Sequence, residues 1–151
     1  MLIGGVAAVL HGSPLATFDL DLVPARERQN LDRLSTALTA LDAKIRTRPG
    51  EPGLAFGHDG RSLGDVTLWN LVTPFGDLNL AFVPTGTTGY GDLIRAATLM
   101  EIDGIEVHVA SIEDIIRSKR AANRPKDRAG VDALEAVLEE QRRAAAGDEE
   151  E

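Results

Sequence analysis

The clearest pattern along the chain is the strict polar–apolar alternation Thr17-Phe18-Asp19-Leu20-Asp21-Leu22. A period of two predicts a strand with Phe18, Leu20 and Leu22 on a core-facing side and Thr17, Asp19 and Asp21 on the other. Upstream, Met1-Leu2-Ile3 reads as the end of a strand. Gly4-Gly5 follows, then Val6-Ala7-Ala8-Val9-Leu10, which reads as a short helix. Leu31, Leu34, Leu38 and Leu41 recur at helical spacing and predict an amphipathic helix over about 25–43. Residues 47–65, rich in Gly, Pro and charge, predict a loop with at most one short strand. Val66–Thr73 is apolar and β-rich, and 77–83 alternates; Pro74-Phe75-Gly76 joins them as a tight connection, which predicts an antiparallel pair. Tyr90, Leu93, Ile94 and Ala97 mark a helix, and Ile102-Asp103-Gly104-Ile105 a hairpin with a two-residue turn. Ser111 and Asp114 open a further helix over about 112–123. Val131, Leu134, Val137 and Leu138 mark the last one. Residues 1–143 therefore read as a single domain, and 144–151 as an acidic disordered tail.

The two aspartates carry the first chemical signal. Like charges about 4 Å apart repel by roughly 4 kcal/mol at an effective dielectric near 20. A divalent cation reverses the sign of that interaction. Two readings fit the alternation equally: a solvated edge strand with two surface acids, or a strand presenting both acids to a metal. The glycines shift the balance. A strand running through Gly4-Gly5 into a helix start lets a backbone approach an anion closely. Gly5 stands 14 residues before Asp19. One element would hold phosphates and the other their metal.

With Ile3-Gly4-Gly5, His11-Gly12 and Thr17-Phe18-Asp19-Leu20-Asp21-Leu22, the chain resembles the DNA polymerase beta-like nucleotidyltransferase superfamily. It is most similar to the bacterial members of the abortive-infection and toxin–antitoxin type. The resemblance continues to Ser118-Lys119 and Arg124-Pro125-Lys126-Asp127 and so covers most of the chain. It implies an α+β (two-layer α/β) nucleotidyltransferase fold, a mixed twisted sheet with helices mainly on one face. It also implies a nucleoside triphosphate bound with Mg²⁺ or Mn²⁺ on Asp19 and Asp21, with Gly4, Gly5, His11, Ser13 and Lys126 around the nucleotide. Nucleotidyl transfer would go to a hydroxyl of RNA, tRNA included, or of a protein side chain, and a cognate toxin or antitoxin would be a partner. Family members usually have a helix and more of the first strand before this point; either the chain dispenses with them or its start is truncated.

One position departs from the pattern. Relatives place a third carboxylate in a Gly-Asp-Leu-Asp-Leu stretch, and here it reads Gly76-Asp77-Leu78-Asn79-Leu80. Asn79 offers an amide oxygen to a hard cation but cannot take a proton from an attacking hydroxyl. Asp77 lies one alternation step away, about 6.5 Å along the strand. Nucleotide binding is thus better supported than turnover, and a non-catalytic nucleotide- or partner-binding member of the fold is the alternative.

Other residues allow two roles each. Lys119 continues the Ile112, Ile115, Ile116 stripe; it either buries its stem and lets its amine reach water, or joins the catalytic set by pointing at phosphate or at Asp19 and Asp21. His11 contacts a phosphate or satisfies a local carbonyl, and Ser13 before Pro14 is also ordinary turn chemistry. Trp69 suits core packing. Six of the 16 basic residues fall within 117–128, although the chain's formal net charge is −8. This is a local anion site or a solvated helix face, and the overall charge disfavours nonspecific binding to long nucleic acid. There is no cysteine, which excludes disulfides and thiolate metal sites, and the three histidines are too far apart in sequence for a zinc motif. No apolar run reaches membrane-spanning length, and a cytoplasmic protein without a membrane partner is expected.

Overall fold

A computed structural model describes residues 1–148. The chain runs β1 (Leu2–Ile3), α1 (Gly4–Leu10), β2 (Asp19–Leu22), α2 (Arg28–Ala40), β3 (Lys44–Ile45), α3 (Gly60–Gly64), β4 (Leu68–Thr73), β5 (Gly76–Ala81), α4 (Tyr90–Leu93), β6 (Thr98–Ile102), β7 (Ile105–Val109), α5 (Ile112–Ala122) and α6 (Pro125–Asp148). It is a mixed α+β fold, a twisted sheet with helices packed against it. The strand order is β3-β4-β5-β2-β1-β7-β6. The β2–β5 and β1–β7 pairs are parallel, and the other neighbours are antiparallel.

Local chemistry sets the boundaries. The β6–β7 hairpin turns on Asp103 and Gly104, both at positive φ (50° and 78°), as a two-residue turn of matching twist requires. Ser111 caps α5 by accepting from the Asp114 N–H. α5 ends at Asn123 in the left-handed conformation, and Pro125 then opens α6. α3 was not legible from hydrophobic period in the loop expected at 47–65. Its signal was the Asp59–Ser62 capping box, in which each side chain holds the other residue's backbone N–H. The helix expected around Tyr90 is a single turn. α6 carries helix to Asp148, into the stretch expected as an acidic tail at 144–151; residues 149–151 lie outside those described.

Two apolar clusters form the core. Leu2, Ile3, Ala7, Val109, Ile112, Ile115, Ile116 and Leu134 join β1, β7, α1, α5 and α6. Leu38 and Leu63 bring α2 and α3 onto Leu71, Leu78 and Leu80 of β4 and β5. Leu22 touches both clusters, so β2 ties them together. The expectation for its other apolar residues is corrected. Phe18 lies before the first ladder pair and is 92% exposed, and Leu20 is 36% exposed. Trp69 is partly buried and donates its indole N–H to the Leu63 carbonyl at 3.1 Å. Among the described residues no helix is long and apolar enough to cross a membrane.

Candidate functional site

The parallel β2–β5 register sets Asp19 opposite Asp77 and Asp21 opposite Asn79. Residues directly across a ladder share a face, so all four polar side chains rise from one side of the sheet. Of the leucines that alternate with them, Leu22, Leu78 and Leu80 pack into the core, whereas Leu20 is exposed. Asn79 Nδ2 donates to Asp19 Oδ2 at 3.0 Å and to Asp21 Oδ1 at 2.8 Å. The two carboxylates thus converge on one nitrogen.

Burial raises the Asp21 carboxyl above its usual range; the Asn79 hydrogen bond opposes this, Asp19 repulsion adds to it, and the Lys126 and Lys119 charges lower it. Those last two causes bring both lysines to the field of Asp21. Lys119 has its own carboxylate nearby: its Nζ lies 3.9 Å from Asp127 Oδ1. Its stem packs over Gly130, where a Cβ would fall 3.2 Å from the lysine's Cδ, Cε and Nζ. Asp127, 1% exposed, also accepts from the Arg124 backbone and side chain. Burial pushes the Asp127 carboxyl up, but the Arg124 hydrogen bonds and the Arg124 and Lys119 charges outweigh it and hold the group low. Asp127, in the first turn of α6, therefore holds Arg124 and lies close to Lys119. Much of the surrounding basic cluster is neutralised: Arg117 pairs with Asp92 and Asp114, and Arg120 with Glu135.

The Gly pair has a steric function. Gly4 has φ +72°, and a Cβ there would fall 2.1 Å from Asp21 Oδ2; one on Gly5 would fall 2.3 Å from Thr17 Oγ1. Only glycine lets the Asp strand lie this close to the start of α1. His11 and Ser13 belong to the other end of α1. His11 Nε2 donates to the Ala110 carbonyl at 2.8 Å, because a carbonyl can only accept. Ser13 is buried, and its Oγ accepts from the Leu15 N–H at 3.4 Å. Both are engaged by protein partners.

Sequence reasoning missed Arg46, which follows β3 in a stretch without periodicity. Its Nη2 donates to Asn79 Oδ1 at 2.8 Å, and its Nη1 lies 2.7 Å from Asp77 Oδ2. Asp77 is thus already paired and is not a free third acid.

The donor set suits a hard divalent cation such as Mg²⁺, which binds through one or two carboxylates and takes its remaining ligands from phosphate and water. Among the described residues no group of three or more His, Asp or Glu side chains is arranged to hold a metal. No protein-family model matches the chain, and a search of curated proteins finds no match.

Proposed function

We propose that the chain is a cytoplasmic nucleotidyltransferase-like protein, of the nucleotidyltransferase fold, that takes a nucleoside triphosphate together with Mg²⁺ or Mn²⁺. The observation that carries this reading is the convergence of Asp19 and Asp21 on a single nitrogen between them. Asp19 and Asp21 would hold the metal, and Lys119 and Lys126 would supply positive charge for the phosphates. Gly4 and Gly5 keep the start of α1 free of side chains beside the acids. When bound, the cation neutralises the leaving pyrophosphate and favours deprotonation of the attacking hydroxyl. The acceptor class is an RNA end or a protein hydroxyl, in a system with a cognate toxin or antitoxin partner.

A second reading is a member that binds nucleotide or a protein partner without turnover. Two observations favour it: Asn79 cannot accept a proton, and Asp77 is ion-paired to Arg46. Thermal shift with each nucleoside triphosphate, with and without Mg²⁺, tests the shared premise. A Mg²⁺-dependent shift that disappears when Asp19 and Asp21 are both changed to Ala supports it; no shift with any nucleotide rejects both nucleotide readings. Transfer of radiolabel from the bound nucleotide to an RNA pool or protein then separates enzyme from non-catalytic binder.

A further inference from the structure

Arg46 is anchored on two strands. Its backbone N–H donates to the Asn70 carbonyl of β4 at 2.9 Å, and its guanidinium holds Asp77 of β5. Arginine has donors only and carboxylates are acceptors only. The Asn79 amide between them therefore has one orientation: Oδ1 toward Arg46 at 2.8 Å and Nδ2 toward both acids. In this orientation the NH₂ group uses carboxylate lone pairs that a cation would need. To ligate the cation itself, Asn79 would have to turn its oxygen to the acids and set its NH₂ against the guanidinium, donor against donor.

We propose that Arg46 is a positioning residue that lowers the divalent-cation affinity of the Asp19–Asp21 pair by fixing the Asn79 amide with its nitrogen toward the acids. This rests on the metal reading of the site given above. Arg46 makes the amide a built-in stand-in for the cation, so that bare metal is held weakly and the phosphates of a nucleotide are needed to bring it in.

The test is Mn²⁺ binding to the full chain without nucleotide, followed by the electron paramagnetic resonance of free Mn²⁺. Arg46→Met combined with Asp77→Asn removes one positive and one negative charge, so the site's net charge is unchanged. The expected result is an affinity about tenfold tighter than wild type, the equivalent of one charge-assisted hydrogen bond no longer opposing the metal. Adding Asp21→Asn should abolish the gain. Arg46→Met alone should tighten binding further, through the uncompensated charge of Asp77. If the single variant tightens and the charge-neutral pair does not, the effect is Coulombic and the positioning role is overturned. Asp21-dependent binding of equal strength in wild type and in the charge-neutral pair overturns the Arg46 inference alone. Absence of Asp21-dependent binding in every variant, including the pair, sinks the metal reading and this inference with it. Solvent exchange of the Asn79 side-chain NH₂, read by NMR, should be slow in wild type and faster in the paired variant; equal exchange would also overturn the proposal. Should that variant not fold, Arg46→Gln with Asp77→Asn makes the same charge change with a side chain that can accept from Asn79, and the same gain is expected.

Discussion

Asn79→Asp tests the geometry of the polar face most directly. The change removes the two hydrogen bonds from Nδ2, at 3.0 and 2.8 Å, and sets a third carboxylate against Asp19 and Asp21. At about 3 Å and an effective dielectric near 20, each such pair repels by roughly 5 kcal/mol. Taking up a proton costs less. A carboxyl with an ordinary value near 4 is protonated at about pH 7 for roughly 4 kcal/mol. Proton uptake therefore caps the loss, and the Arg46 guanidinium beside position 79 offsets part of it. The expected destabilisation is about 2–4 kcal/mol near neutral pH without metal. The sign follows from linkage. The new carboxyl's folded-state value lies above its unfolded one, so the folded state holds the extra proton. The variant keeps its stability below the unfolded value and loses it as pH rises, by up to about 1.4 kcal/mol per unit, until the folded value is passed. Urea denaturation of both proteins across about pH 5–8 measures this, and Mg²⁺ or Mn²⁺ should narrow the gap. A difference below about 0.5 kcal/mol that does not change with pH would refute the convergence of the acids on position 79. Where transfer activity exists, the same variant should raise turnover more than affinity, because a third acid near the attacking oxygen matters most in the transition state.

Three further outcomes follow from the same site. Asp21→Asn should raise the melting temperature near neutral pH: the Asp21 carboxyl is raised by burial, so its ionised form disfavours the fold, and the gain should fade as pH falls through the raised value toward the unfolded one; a pH series of calorimetric scans checks this, and a variant less stable at every pH would contradict it. Gly4→Ala should cost about 2–4 kcal/mol in denaturant unfolding, from the positive φ and from the clash with Asp21 Oδ2; adding Asp21→Ala should recover only the clash, and full recovery would show that φ carries no strain. Lys119→Ala should weaken Mg²⁺–triphosphate binding more than Arg120→Ala, since the Lys119 charge acts on Asp21 while Arg120 pairs with Glu135; equal titration curves would return Lys119 to a stem-burying role.

Much of the fold could be read locally because its causes are local. The Asp103-Gly104 turn, the Ser111 cap and the alternation of β5 each depend on neighbours in sequence. That Asp19 and Asp21 share one face, and Asp77 and Asn79 another strand's face, was legible for the same reason: a period of two sorts side chains by face without knowledge of the partner strand. The exposure of Phe18 and Leu20 was not legible, since alternation says which way a side chain points but not whether anything covers it. The steric need for Gly4 depends on the approach of Asp21, 17 residues later. Arg46, next to β3, reaches Asn79 of β5 across β4 from 33 residues away, and an arginine in an aperiodic segment carries no mark of its target. The sequence by itself determined which chemistry each strand presents on its polar face: Asp19 and Asp21 on one, Asp77 and Asn79 on the other. Only the tertiary structure decided how the amide is turned and that Asp77 is engaged, because those depend on strand register and on a guanidinium delivered from outside the pair.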